Sequence, residues 1–224
     1  MAMQDLIENY KKKKEIKRWS KSVIFFGLFL MCLVGVAVAL LYLPVISVSR
    51  NVGGVDIVYN ATGLMGLKSL YNKIFLGTSD TVANEVLYYC YNTGGGVISD
   101  KLAVFFIQYC RFFLVTLAIL FLLMCVFAVF SFLLGIKCIL SGKARWPGIG
   151  NTCSKLFFVF FFLFSLILFA FIYLYNLSAK QVDPNAFVGV SFYAPFIVFG
   201  VDIFLFIIIN FLCNKKLSGK IYVN

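Results

Sequence analysis

Histidine is absent from this chain of 224 residues. Its absence removes the commonest general base at neutral pH and the commonest metal ligand. Ser/His/Asp, Cys/His and HExxH constellations are excluded with it. Charge is scarce as well: charged residues make up 13% of the chain and only nine are acidic, where a soluble domain carries roughly 25% charged residues. A phosphate-cradling loop is also missing, because Gly94-Gly95-Gly96 has no Lys after it and no strand–loop–helix setting. Three cysteines, Cys138, Cys153 and Cys213, lie near the same ends of apolar runs, but without His they lack a fourth zinc ligand. The expectation is a chain that is not an enzyme and takes no cofactor or metal.

Apolar residues are abundant, at 62% of the chain. They collect in four runs, residues 23–46, 102–136, 156–175 and 187–213. The second is 35 residues long, and its only strongly polar residues are Gln108 and Arg111. It has no Pro, and its one Gly is Gly135 at the end, so nothing obliges a helix to stop within it. Such a helix is roughly 52 Å long by the rise per residue and exceeds a hydrocarbon core of about 30 Å. Ser99 and Asp100 offer it an N-cap and Lys137 marks its other end. The third run holds eight phenylalanines, with Ser165 as its only interior polar residue.

The net charge of +11 can signal nucleic acid, so its distribution decides the matter. Lys11 to Lys14, Lys17, Arg18 and Lys21 precede the first run; Lys137, Lys143, Arg145 and Lys155 separate the second and third; Lys215, Lys216 and Lys220 follow the fourth. Against these fourteen cations stand only Asp5, Glu8 and Glu15. On the opposite side Arg50, Lys68, Lys73, Lys101 and Lys180 balance Asp56, Asp80, Glu85, Asp100 and Asp183. The whole excess falls on one side, as the positive-inside rule requires. The fold class expected is therefore an all-α polytopic membrane protein of four transmembrane helices, with both termini cytoplasmic, in the cell's plasma membrane. The partners expected are anionic lipid of the inner leaflet and another membrane protein or a second copy, not nucleic acid.

Residues 1–22 form a basic amphipathic N-terminus. Within it, residues 4–21 read as a short helix with Leu6, Ile7, Tyr10 and Trp19 among its lysines. It serves either as an interfacial helix, each cation contributing about 1 kcal/mol at an anionic surface, or as a topogenic signal alone. Ala37-Val38-Ala39 has the form of a signal-peptide cleavage site, yet the run continues apolar through Leu40, Leu41 and Leu43, which favours a retained first span. Gly35 and Ala39 make a small-xxx-small pair suited to close helix approach.

Residues 47–101 are the only stretch large enough to fold outside the bilayer, between the first and second spans. Val45 to Ser49 and Val55 to Tyr59 alternate in polarity around Gly53-Gly54, which predicts a β-hairpin. Leu64, Leu67, Leu70, Tyr71, Ile74 and Phe75 recur at helical spacing, and Gly77 suits a left-handed terminus. A second short helix is predicted after Ser79, on the stripe Val82, Ala83, Val86, Leu87 and Cys90. A small α+β extracytoplasmic subdomain of one hairpin and two helices results. Its aromatics Tyr59, Tyr71, Phe75, Tyr88, Tyr89 and Tyr91 suit a binding face or a headgroup belt. Asn60-Ala61-Thr62 is a glycosylation triplet, as is Asn176-Leu177-Ser178 beside the third span. Cys90 and Cys110 are the one outer pair, and a bond between them would contribute roughly 3 kcal/mol. Cys32 and Cys125 read as apolar fillers, and Cys138, Cys153 and Cys213 as inert thiols or S-acylation sites.

The remaining boundaries are a cytoplasmic loop at 137–155, a short outer loop at 176–186 and a basic tail at 214–224. This layout resembles that of the claudin and PMP-twenty-two-like tetraspans. The loop reads Gly63-Leu64-Met65 where that family carries Gly-Leu-Trp, and it contains no Trp. The resemblance is one of layout and implies no site residue.

Two intramembrane candidates remain. Arg111 lies 26 residues from Lys137, about 39 Å along a helix and so above a 30 Å core, at the outer headgroups. Asp202 lies 13 residues from Lys215, about 20 Å along and near mid-bilayer. A carboxylate at that depth costs at least ~2.5 kcal/mol on insertion scales, and Ser165 is the polar residue at matching height. The leading expectation is an assembly, adhesion or accessory subunit acting through the outer subdomain and helix faces. The alternative is an oligomeric solute or ion transporter that uses Asp202.

Overall fold

A computed structural model describes residues 2–52, 55–78, 82, 101–141 and 145–182, with the single positions 200, 203, 204 and 207. The fold is mostly helical. In chain order come α1 (Ala2–Tyr42), β1 (Pro44–Val52), β2 (Val55–Thr62), α2 (Gly63–Phe75), α3 (Lys101–Ser141) and α4 (Arg145–Val182). Among the described residues three stretches are long and apolar enough to cross a membrane: Val23–Tyr42, Tyr109–Leu140 and Trp146–Leu177. Of the expected fourth span at 187–213 only positions 200, 203, 204 and 207 are described, and of the second short helix after Ser79 only position 82; all five are helical, and the rest of both stretches lies outside the described residues.

Helix α1 is uninterrupted over 41 residues, so the N-terminal segment is an extension of the first span and not a separate helix. Neither Gly nor Pro occurs before Gly27, and its Lys, Glu, Gln and Arg residues are good helix formers. The helix closes with Leu43 N–H donating to the Ala39 carbonyl at 2.8 Å. Pro44 then has no N–H to offer and disfavours helix in the residue before it. The first span thus ends at Tyr42, four residues earlier than expected, and the chain turns directly into β1.

The hairpin is antiparallel, with Val52 opposite Val55 and a register shift between Pro44 and Ile46. Ile46, Val48 and Ala61 turn inward and are buried. On the other face the Ser47 hydroxyl donates to Asn60 Oδ1 at 2.6 Å, a directly opposed pair.

Thr62 ends β2 and caps α2, its Oγ1 accepting from the Met65 amide. At the other end Gly77 adopts φ +61°, as its place in the sequence predicts. The turn brings both the amide and the hydroxyl of Thr78 to the Asn72 carbonyl, at 3.3 Å each. Helices α3 and α4 overrun their expected limits, α3 reaching Ser141 and α4 running from Arg145 to Val182. Pro147 lies in the first turn of α4, where its missing N–H costs nothing. Hydroxyls within these helices bond backward to their own backbone, Thr116 to Phe112 O at 2.8 Å and Ser154 to Asn151 O at 2.9 Å.

Two compact units divide the chain. One comprises Met1–Gly35, Phe127–Leu156 and Val198–Asn224. Its described core holds Phe26, Leu30, Leu33, Ala128 and Cys138. Here α1 and α3 meet backbone to backbone. A Cβ on Gly27 would stand 2.8 Å from the Gly135 carbonyl, and one on Gly135 would stand 2.6 Å from the Gly27 carbonyl. Helix α4 joins them where Gly150 faces the Leu30 side chain. Lys137 Nζ stands 4.7 Å over the Trp146 ring, a cation–π contact between a long flexible chain and an interfacial aromatic.

The other unit comprises Val36–Val126 and Phe157–Ile197. An aromatic seam joins α3 to α4, with Phe121 and Phe164 centroids 6.2 Å apart and those of Phe113 and Phe171 6.3 Å apart. Phe157, Phe161, Phe164, Leu168, Phe171 and Tyr175, all buried, recur at three- and four-residue steps and form the inward stripe of α4.

Candidate functional site

Within the second unit the hairpin and α2 lie against α3 and α4 and leave a half-open hollow. Gly63 sets the approach: a Cβ there would stand 2.6 Å from the Leu40 carbonyl and 2.7 Å from the Phe121 ring. The root of α2 is therefore pressed on the last turns of α1 and on α3. One turn on, Gly66 faces open space, with nothing within 4 Å of a would-be Cβ.

The hollow encloses about 60 Å³, where a single water needs ~10–15 Å³. Its walls are Ile46 and Ala61 of the hairpin, Gly66, Ser69 and Leu70 of α2, Leu114, Leu117, Ala118 and Phe121 of α3, and Phe164 of α4. Among the described residues its polar groups are the hydroxyls of Thr62 and Ser69, and Thr62 Oγ1 already accepts from Met65. Water gains few hydrogen bonds in such a space, so its natural occupant is an apolar group. Among the described residues the walls supply no nucleophile–base pair and no charged group to hold a metal or phosphate.

The residues singled out from sequence fall as follows. Ser165 is buried on α4, whereas Asp202 lies outside the described residues, so their pairing is not among the described contacts. Arg111 is exposed on α3, two residues past Tyr109 where the apolar stretch begins. Cys110 is completely buried, and Cys90 lies outside the described residues. Asn60 is exposed on β2 and accepts from Ser47 through Oδ1. Asn176 sits inside α4. Of the inner cysteines, Cys138 is completely buried and beyond an acyltransferase's reach in this fold, while Cys153 keeps partial exposure.

Gly35, the glycine marked for close approach, has nothing within 4 Å of a would-be Cβ. The close pair is Gly27 with Gly135, which sequence reading passed over. Both are glycines inside apolar runs, and that was the available signal. Gly63 enters the sequence reading only within Gly63-Leu64-Met65, since its approach to Leu40 and Phe121 is a long-range contact with no local signal.

Structure and composition together define the class: a mainly helical protein with, among the described residues, three membrane-crossing candidates and a small two-stranded sheet. No protein family, no characterised protein and no solved structure matches the chain, so its function is argued from its own residues.

Proposed function

We propose that this chain is a non-enzymatic membrane protein of four spans, with both termini cytoplasmic and the hairpin and α2 in an extracytoplasmic subdomain. It serves as an assembly, adhesion or accessory subunit that meets another membrane protein through the hairpin. The observation that carries this reading is the union of a rigid mount with an apolar display. Gly63 presses the subdomain onto the spans, and the hairpin presents Val55 and Val58 at 65% and 53% exposure. Val58 stands on the outward face beside Asn60 and Val55 at the hairpin's tip, and exposed apolar side chains on a fixed mount are what a protein partner buries.

Purification from native membranes in mild detergent tests the proposal. A membrane protein should co-purify with the parent chain and be lost with Val58→Arg, while thermal stability stays within about 0.5 kcal/mol, as for other surface changes. A parent chain that purifies alone contradicts the accessory role. The topology has its own check, supported by the one-sided placement of fourteen cations. A reporter fused after Asn224 and a tag inserted at Gly94–Gly96 should report opposite sides of the membrane; the same side for both refutes four spans.

A second reading rests on the lone carboxylate Asp202 within an apolar run: an oligomeric transporter that binds a proton or cation there. The competing role is a protonated acid that joins helices through hydrogen bonds. Vesicle flux separates them. The helix-joining role requires no flux in the parent, normal assembly with Asp202→Asn and weakened assembly with Asp202→Leu. A parent flux abolished by Asp202→Asn establishes the transporter instead.

A further inference from the structure

We infer that α2 is a lipid-binding helix, its exposed apolar face seated among the acyl chains of the leaflet into which the first span emerges. The inference rests on the membrane-spanning reading of the long helices and adds a ligand, the lipid surface itself.

Depth is the first support. The apolar stretch Val23–Tyr42 has 20 residues, about 30 Å of helix, which matches the thickness of a hydrocarbon core. Leu40 is two residues from its end, about 3 Å inside the boundary. Because Gly63 is pressed against the Leu40 carbonyl, α2 begins at the edge of the hydrocarbon and not out in water.

Orientation is the second. The face that α2 turns inward is small and partly polar, comprising Gly63, Gly66, Ser69 and Leu70. Its large apolar side chains point outward: Leu64 is 49% exposed, Tyr71 56%, Ile74 62% and Phe75 71%. A helix beside water has the reverse arrangement. Tyr71 and Phe75 pack ring to ring at 5.0 Å, so the outward face is a joined surface and not scattered residues.

Continuity and charge are the third. Tyr42 and Leu43, where α1 ends, are themselves exposed and apolar, so the lipid-facing surface of the span runs toward α2. Lys68 is exposed and shares the outward sector with Leu64 and Phe75 by helical angle. Its long stem can lie along acyl chains while the ammonium reaches the phosphates. A protein partner would leave that ammonium to be matched by an acid; a phospholipid leaflet matches it everywhere.

Fluorescence quenching in vesicles tests the inference. Phe75→Trp and, separately, Ile74→Trp are made in the full chain with Trp19→Phe and Trp146→Phe, then reconstituted in phosphatidylcholine brominated near the headgroup or near the midplane. Each α2 tryptophan should lose most of its emission to the shallow bromines and less to the deep ones. Phe130→Trp, exposed on α3 ten residues inside the end of the apolar stretch at Leu140 and so about 15 Å deep, is the reference and should be quenched more by the deep bromines. Quenching of Phe130→Trp without quenching at positions 74 and 75 overturns the lipid role of α2 and leaves the spans intact. Quenching at none of the three overturns both readings.

Discussion

Gly135→Leu should cost most of the folded protein. The obstacle is the Gly27 carbonyl, 2.6 Å from where the new Cβ must go, with the Met31 side chain at 2.9 Å. Overpacked cores usually relax by moving side chains and lose about 1–3 kcal/mol. A backbone carbonyl inside a helix has no rotamer to adopt, so α1 and α3 must separate and the loss should reach or exceed the top of that range. At 1.4 kcal/mol per factor of ten, that is about a hundredfold or more in the folded-to-unfolded ratio. The same reasoning applies from the other side to Gly27→Leu, since its Cβ meets the Gly135 carbonyl at 2.8 Å. Gly35→Ala is the contrast: its surroundings are open, and alanine gains up to about 1 kcal/mol of helix propensity. Reversible unfolding in mixed micelles reads all three. A Gly135→Leu protein as stable as the parent removes the helix crossing described here.

Gly63→Val should produce a different failure, confined to the hairpin and α2. Its Cβ would stand 2.6 Å from the Leu40 carbonyl and 2.7 and 2.8 Å from two atoms of the Phe121 ring. The ring can turn aside, but the carbonyl cannot. The crossing at Gly27 and Gly135 belongs to the other unit and is untouched, so the spans should survive while α2 lifts from its seat. Limited proteolysis should then cut between residues 44 and 78 at least tenfold faster than in the parent, the equivalent of about 1.4 kcal/mol in the opening equilibrium. Gly66→Ala, three residues on, faces open space and should leave the rate unchanged or lower. Equal protection of Gly63→Val and the parent shows that the seat is not needed.

These contrasts mark where sequence reading reaches its limit. That the chain has long helices apolar enough to cross a membrane is legible in the sequence, because runs such as Tyr109–Leu140 can satisfy their backbone within a helix and leave their side chains to an apolar surround. The hairpin was legible for a local reason, the polarity alternation around Gly53-Gly54, and so was Gly77, whose φ of +61° is one that few other residues accept. The small-xxx-small spacing chose Gly35, and the fold uses Gly27 and Gly135. Spacing says which residues share a helix face, whereas the partner facing it is set by how two helices cross, over a hundred residues apart in the chain. The same limit applies to α2. Its period was plain in Leu64, Leu67, Leu70, Tyr71, Ile74 and Phe75, and the ordinary inference turns such a stripe inward. In a chain whose surroundings are as apolar as its core, the hydrophobic effect no longer distinguishes inside from outside. Close packing decided instead: small Gly63 went inward, where the Leu40 carbonyl and the Phe121 ring leave no room for a side chain, and Leu64, Tyr71, Ile74 and Phe75 turned out.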